Sequence, residues 1–415
     1  MSTIAIITVA AGGNVPPAIM IGRELVARGH RVHMLGQESQ RTRLAAAGFD
    51  FIALRSLEFW GDRRNEEPAP ATADDVVRLA SSRDIRNEAG DILTRLAPDA
   101  VLVDVLMATA ILGAHDAGLA TAVLFHTYYE FWLDGYHGRI GPLARLRGVD
   151  VRRTWESADA QLVTCEADFD PAARTRNLAH RPTWVGAIVA GTASAPAQGP
   201  PLVLVSLSST WVAGQTDAYQ RIITALGTLP VRGLVTLGGV TPDRELTVPA
   251  NVEVRDYARH DEVMPGVSLV VGHGGHATTF TALAHGKPLL ILPMHPMLDQ
   301  GMVGASMVEA GAGLMLERTA SSEQIATAIR SVLADPRIAK STQAIGARLR
   351  ASDAAGAAAT CLLELPSPKG RSINRPPVRR GAVRRAVLSS GNAGARRPLL
   401  TQLDEGDADG TPRVG

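Results

Sequence analysis

Cysteine is scarce in this sequence, and neither sign of charge is in excess. Cys165 and Cys361 are the only cysteines among 415 residues, which excludes a disulfide scaffold and a cysteine-based zinc site. The 42 basic and 41 acidic residues leave a formal charge of +1. Proteins that coat nucleic acid usually carry a basic excess, so we expect no nucleic-acid partner.

Long apolar runs are also missing. No stretch of about 18 apolar residues indicates a membrane span. The first residues lack the basic segment of a signal peptide, and the apolar run at residues 4–9 is too short for its core. We therefore expect a soluble, cytoplasmic protein. Residues of the AVILMFWYC set still make up 46% of the chain, enough for sizeable cores.

Strands and helices alternate along most of the chain. Buried-type strands are predicted at residues 3–9, 31–35, 101–105 and 121–125, and the pattern restarts with strands at 202–206, 233–237, 267–271 and 289–292. Helices are predicted between them, and such βαβ alternation is typical of parallel sheets covered by helices. A capping box at Ser321–Gln324 predicts a further helix start.

Composition divides the chain into four segments. We predict an N-terminal domain at 1–189, a Pro- and Ala-rich linker at 190–201, and a second domain at 202–366. Within residues 367–415, the stretch 367–400 contains nine basic residues and no acidic residue. This composition predicts a disordered basic tail without a catalytic part, and a nucleic-acid or acidic-partner arm is its alternative.

A glycine-rich turn carries the strongest chemical signal. It follows a predicted strand, precedes a predicted helix at 280–285, and reads His273, Gly274, Gly275, His276, Ala277, Thr278 and Thr279. Glycines let backbone N–H groups approach a ligand, and a helix N-terminus favours an anion such as diphosphate. Further on, Asp299 and Gln300 follow another strand, and this pair suits the hydroxyls of a sugar.

With these motifs, the chain resembles a family 1 glycosyltransferase of the GT-B fold, of the bacterial natural-product type. The resemblance covers residues 1–365 and is strongest from His273 to Gly313. It implies two Rossmann-like α/β domains that face each other across a cleft, with the acceptor held by the first and the nucleotide sugar by the second. It also implies a helix near 354–365 that crosses back to the first domain.

The resemblance implies roles for individual residues. The family's diphosphate contacts correspond here to Ser208, Ser209, His273, Gly274, Gly275, His276, Thr278 and Thr279. The base contacts correspond to Tyr257 and His260, and the sugar contacts to Asp299 and Gln300. The reaction implied is a metal-independent, inverting transfer in which no cofactor takes part and whose partners are a nucleotide sugar and a small acceptor.

Two positions depart from the family's pattern. Thr281 stands where many enzymes that use UDP-sugars place a glutamate that binds both ribose hydroxyls, so we favour dTDP over UDP as the carrier. Asn14 stands where the family usually has its catalytic histidine, and an amide cannot accept a proton at neutral pH. The proton acceptor is then either Asp104, which normally supports that histidine, or His126 at the end of the next strand.

Aromatic residues suggest where the acceptor binds. Tyr128, Tyr129 and Trp132 follow His126, and Trp60 is predicted to line the same cleft. Such a cluster suits an aromatic or polyketide-like acceptor, and it is equally typical of an interface core.

Three other interpretations remain open at this stage. Asn14 is compatible with a non-catalytic auxiliary protein that binds nucleotide sugars. A nucleotide-sugar epimerase on the same fold would need more carboxylates in the second domain. Asp168 and Asp170 form an Asp-x-Asp pattern of the kind that binds metal in glycosyltransferases of another fold, but they do not follow a buried strand.

Overall fold

Two parallel sheets form the frame of the chain in the computed structural model, which describes residues 1–60, 73–174, 178, 181–193, 199–208 and 212–366. The strands of the first sheet are β1 (Thr3–Ile7), β2 (Arg31–Gly36), β3 (Asp50–Ala53), β4 (Ala100–Asp104), β5 (Thr121–Phe125), β6 (Ala160–Val163) and β7 (Thr183–Trp184). The strands of the second are β8 (Leu202–Ser206), β9 (Arg232–Thr236), β10 (Val252–Arg255), β11 (Leu269–Gly272), β12 (Leu289–Ile291) and β13 (Gly313–Met315).

Helices cover the faces of both sheets. In the first half they are α1 (Val15–Ala27), α2 (Arg41–Ala46), α3 (Ala73–Ser81), α4 (Arg83–Leu96), α5 (Ala108–Asp116), α6 (His137–Leu146) and α7 (Val151–Glu156), with a π-helical turn at Phe131–Tyr136. In the second half they are α8 (Gln215–Gly227), α9 (His260–Val263), α10 (His276–Ala284), α11 (Gln300–Glu309), α12 (Ser322–Ala334), α13 (Pro336–Ala351) and α14 (Ala354–Leu363).

The two sheets have the same strand order. The first runs β3-β2-β1-β4-β5-β6-β7 and the second β10-β9-β8-β11-β12-β13, with every pairing parallel. The strand order therefore reverses between β1 and β4 in the first sheet and between β8 and β11 in the second. All five residues of β4 and of β5 are buried, as expected of strands covered by helices on both faces. The predicted α/β fold class is confirmed.

The predicted elements lie close to the observed ones, with one instructive error. The strands expected at 121–125 and 202–206 have those bounds. The helix expected to start at residue 280 instead starts at His276, because Gly275 has extended backbone angles and serves as the N-cap. The threonines of the glycine-rich turn therefore belong to the first turns of α10 rather than to a loop.

Helix α14 returns to the first sheet, as the resemblance implied. Ala358 and Leu362 share a buried cluster with Ile21 of α1. The Arg28 guanidinium donates to the Thr360 hydroxyl at 2.8 Å. The C-terminal segment of the described chain thus adds a helix to the N-terminal half.

Parts of the predicted organisation fall outside the described residues. The basic tail at 367–415 lies wholly outside them, and so do residues 194–198 of the predicted linker. The four segment boundaries stay predictions. Within the described ranges, no helix combines the length and the apolarity needed to cross a membrane.

The capping box at the start of α12 gives a stability prediction. The Ser321 hydroxyl accepts from the Gln324 N–H at 3.2 Å, and the Gln324 side chain accepts from the Ser321 N–H at 2.8 Å. We expect Ser321→Ala to lower the free energy of unfolding by about 1 kcal/mol in urea denaturation. Ser322→Ala, one residue inside the helix, is the control, with an expected change below about 0.5 kcal/mol. Equal effects would show that the cap does not contribute.

Candidate active site

The predicted site residues gather at the two places where strand order reverses. Open α/β sheets bind ligands outside the carboxyl ends of the strands at such points. In the first sheet, Asn14 follows β1 and Asp104 ends β4, which pairs with β1. In the second, Ser208 follows β8 and His273 follows β11, and these strands pair through Ser206 and Gly272.

Asp104 is the central charge of the first half. Its side chain is 2% exposed. One carboxylate oxygen accepts from the Leu106 N–H at 3.0 Å, and the other accepts from Asn14 Nδ2 at 2.8 Å. His126 Nδ1 lies 3.6 Å from the second oxygen, beyond hydrogen-bond distance. Asp104 is therefore fixed by two bonds, with the imidazole of His126 beside it.

Asn14 connects the loop after β1 to the Asp104 carboxylate. Its Nδ2 also donates to the Val9 carbonyl at 2.7 Å, and its Oδ1 accepts from the Ala11 N–H at 3.3 Å. The amide thus ties the loop after β1 to Asp104. An amide so placed orients a carboxylate but takes no proton.

The glycine-rich turn needs glycine for reasons of space and conformation. Gly274 has φ +82°, and a Cβ there would lie 2.6 Å from the Gln300 carbonyl oxygen. A Cβ on Gly275 would lie 2.3 Å from Nε2 of His273. The backbone of the turn therefore packs against the start of α11 at Gly274, and the His273 ring packs against Gly275. Because neither glycine has a side chain, neither covers the N-terminus of α10.

Two neutral imidazoles flank the start of α10. Burial lowers the pKa of His273 to about 4, partly offset by the Ser206 main chain. Burial lowers the pKa of His276 to about 3, and His126 across the cleft contributes less. Both rings are therefore neutral near pH 7. His273 Nδ1 and His276 Nε2 are buried and have no hydrogen-bond partner, as expected of groups that await a ligand.

The remaining predicted diphosphate contacts lie around this turn. Thr278 is partly buried in the first turn of α10, and Thr279 is buried with its N–H donating to the Gly275 carbonyl at 3.1 Å. Ser208 is buried, and its carbonyl accepts from Gln215 at 2.9 Å. Ser209, the other predicted contact on this strand end, lies outside the described residues.

The two predicted sugar-binding residues, Asp299 and Gln300, both form hydrogen bonds within the protein. Asp299 Oδ2 accepts from the Thr127 hydroxyl at 2.6 Å, a bond that joins the two halves across the cleft. Burial raises the pKa of Asp299, and Thr127 and His126 oppose that rise. Gln300 Oε1 accepts from the N–H groups of Met294 and His295. A sugar contact from Gln300 would thus use its Nε2.

The predicted base-binding residues lie at the far edge of the second sheet. Tyr257 follows β10 and is 71% exposed. Strand β10 is three positions from β11 in the sheet, a separation of about 14 Å at the usual strand spacing. His260 opens α9 and is partly buried, which lowers its pKa. Thr281 is partly buried on α10.

The structure separates the four predicted acceptor aromatics. The Trp132 ring lies 5.0 Å from that of His126, and Tyr128 lies 6.2 Å from His276, so both face the cleft residues. Trp60 Nε1 donates to the Ala10 carbonyl at 3.0 Å, beside the loop that carries Asn14. Tyr129, by contrast, donates its hydroxyl to Gln161 inside the first sheet.

The Asp-x-Asp pattern serves the fold. Asp170 is fully buried and accepts from the N–H groups of Tyr129 and Ala172 and from the Trp184 indole. Asp168 pairs with Arg348 at 2.8 Å. In the part of the chain that the structure describes, no three His, Cys, Asp or Glu side chains group as metal ligands do.

Two residues near the candidate site, Thr127 and Tyr136, were not predicted from the sequence. Thr127 contacts Asp299, and its position directly after His126 at the end of β5 was the available signal. Tyr136 lies beside Trp132 with ring centroids 5.1 Å apart. No sequence signal marked Tyr136, because the π-helical turn that positions it has no recognised pattern.

The sequence was matched to a family of known proteins and to curated relatives. Residues 220–362 match the family described as Erythromycin biosynthesis protein CIII-like, C-terminal domain. The demethyllactenocin mycarosyltransferase of Streptomyces fradiae is 25% identical over 407 residues, which cover 89% of this chain and 87% of that protein. These matches identify the chain as a glycosyltransferase that is similar to family 1 enzymes of natural-product biosynthesis. The resemblance stated from the turn motif is thereby confirmed.

Solved structures agree on the fold of this glycosyltransferase. The glycotransferase of kitacinnamycin superposes with a TM-score of 0.72 at 22% identity, over 88% of this chain and 99% of that one. A glycosyltransferase crystallised in complex with dTDP superposes with a TM-score of 0.63 at 16% identity, over 87% and 98%. The predicted GT-B arrangement of two Rossmann-like domains is confirmed, while the roles of individual residues stay predictions.

The glycine-rich turn of the glycosyltransferase yields the second prediction. Gly274→Ala adds a Cβ at positive φ that also meets the Gln300 carbonyl, so we expect it to lower the free energy of unfolding by about 1–3 kcal/mol. Gly138→Ala in α6 is the matched control, because its Cβ would meet nothing within 4 Å and we expect it to leave stability unchanged or to raise it by up to about 1 kcal/mol, since alanine favours a helix. Both are measured by urea denaturation. An unchanged midpoint for Gly274→Ala would contradict the packing described.

Proposed function

We propose that this glycosyltransferase moves a sugar from dTDP to a hydroxyl of an aromatic or polyketide-like natural product, with inversion and without a metal. The observation that carries the proposal is the juxtaposition across the cleft. His276, whose Nε2 has no hydrogen-bond partner, lies near His126, His126 lies beside Asp104, and Thr127–Asp299 joins the two sides. The relatives named above, one acting on demethyllactenocin and one solved with dTDP, support the same class of substrates.

The donor half supplies charge stabilisation. In the proposed reaction the acceptor oxygen attacks the anomeric carbon while the bond from that carbon to the diphosphate oxygen breaks. Negative charge then grows on the leaving diphosphate. N–H groups at the start of α10, with the neutral imidazole of His273 and the Thr278 hydroxyl, are donors suited to that charge.

The acceptor half supplies the base. We assign the proton to His126, because its imidazole lies beside a carboxylate already held by Asn14 and Leu106. Asp104 is almost fully buried, so it is better placed to orient His126 and to stabilise the imidazolium. The Asp–His pair usual in the family is then rebuilt with a histidine from the end of β5 in place of one after β1.

An auxiliary protein that binds nucleotide sugars without turnover is the second candidate. Asn14 is the observation that favours it, since the usual base is absent from that position. The two candidates share nucleotide binding and differ in transfer, so nucleotide binding alone does not separate them.

Nucleotide binding tests the donor half. We expect dTDP to raise the melting temperature more than UDP does at equal concentration in EDTA, because binding to the native state raises its stability. Thr281→Glu should reverse the preference by offering both ribose hydroxyls of UDP an acceptor. Equal shifts with both nucleotides would remove the dTDP preference, and no shift with either would contradict the diphosphate site.

Substitution of His126 tests the base. We expect His126→Gln to lower kcat roughly 10²–10⁴-fold, the contribution typical of a general base. His33→Gln is the matched control, because His33 Nδ1 also lies near a carboxylate, 3.7 Å from Asp50, on β2. NMR of the product anomer reports inversion. If His126→Gln retained wild-type turnover, Asp104 would become the proton acceptor.

A further inference from the structure

Three buried polar atoms beside Asp104 have no hydrogen-bond partner: His126 Nδ1, Trp132 Nε1 and Tyr136 Oη. The Trp132 ring lies 5.0 Å from His126 and 5.1 Å from Tyr136, so the three side chains are contiguous. Trp132 is 2% exposed and Tyr136 is 7% exposed. The proposed pairing of His126 with Asp104 accounts for the first atom, but neither the donor site nor the proposed base uses the other two.

Leaving such donors unpaired is costly. A buried polar group without a partner gives up its hydrogen bonds to water and gains none in the folded protein. Two comparable groups nearby are paired: Tyr129 donates to Gln161 at 2.8 Å, and Trp155 Nε1 donates to the Val105 carbonyl at 3.0 Å. The Tyr128 hydroxyl is unpaired as well, but that ring lies against His276 and Phe280, whereas Trp132 and Tyr136 lie beside His126 and Asp104.

The chemistry of the two groups defines what they bind. An indole N–H only donates. Burial, and secondarily the charge of Asp104, raises the pKa of Tyr136, so its hydroxyl stays protonated and can donate as well. The natural partner of these two neighbouring donors is an oxygen that accepts.

We infer that Trp132 and Tyr136 form a subsite for a second oxygen of the acceptor, an ether or carbonyl oxygen close to the hydroxyl that receives the sugar. The inference rests on the proposed function, because it needs the reacting hydroxyl at His126. The acceptor class is then narrower than an aromatic or polyketide-like alcohol, since it is an alcohol or phenol with a neighbouring oxygen that carries no proton.

Two naphthols of nearly equal shape test the subsite. 3-Methoxy-2-naphthol has the second oxygen, and 3-ethyl-2-naphthol replaces it by a methylene. We expect the wild-type protein to bind the methoxy compound about tenfold tighter by calorimetry, the ratio that one buried hydrogen bond provides. Apolar burial alone would favour the ethyl compound, so a preference for methoxy is diagnostic.

Substitutions of Trp132 and Tyr136 test whether these two donors cause the preference for the methoxy compound. Tyr136→Phe and Trp132→Phe should each bring the ratio of the two dissociation constants close to 1. Tyr219→Phe is the matched control, because this buried hydroxyl donates to the Thr236 carbonyl in the second sheet, and it should leave the ratio unchanged. Equal affinity of the wild-type protein for the two naphthols, no binding of either, or a ratio that persists in Tyr136→Phe would overturn the inference.

The measurement requires no turnover, which separates its outcome from that of the proposed function. A protein that binds dTDP or UDP but does not discriminate between the naphthols keeps the proposed transfer and loses this subsite. A protein that prefers the methoxy compound but binds neither nucleotide keeps the oxygen subsite and loses the proposed transfer.

Discussion

The parallel direction of every strand is the constraint on which the cleft depends. Because parallel strands all end at one edge, Asn14, Asp104 and His126 gather at the edge of the first sheet, and Ser208 and His273 at that of the second. The order reversal in each sheet opens a crevice at that edge. The candidate site residues thus lie at strand ends, in the turns that follow them and in the first turns of the next helices, while most strand residues are committed to the core.

Several buried polar atoms around the cleft have no hydrogen-bond partner. Asp170 is as deeply buried as Asp104, yet several donors satisfy it and it anchors the fold. Around the cleft, His273, His276 and Trp132 each keep a buried atom without a partner. Such atoms reduce stability in the free protein, and a ligand that pairs with them would offset that loss.

The sequence predicted the arrangement of the candidate donor site more completely than that of the candidate acceptor site. The turn from His273 to Thr279 is contiguous, so glycine spacing and one helix start predict it. The acceptor half combines Asn14, Asp104 and His126 from the ends of separate strands, and sequence reasoning left open whether Asp104 or His126 takes the proton. Tyr136 was beyond reach because a π-helical turn sets its direction, and Tyr129 was grouped with the cleft although its side chain points to Gln161.

The Thr127–Asp299 bond has a thermodynamic consequence of its own. It is one of the contacts that hold the two halves together, so separating them exposes a carboxylate and a hydroxyl that are now paired. A ligand that engages only the joined arrangement shifts the balance between joined and separated forms. By reciprocity, each of two such ligands strengthens binding of the other by the same factor. Affinities for donor and acceptor are then coupled through the frame of the enzyme, even where the two molecules do not touch.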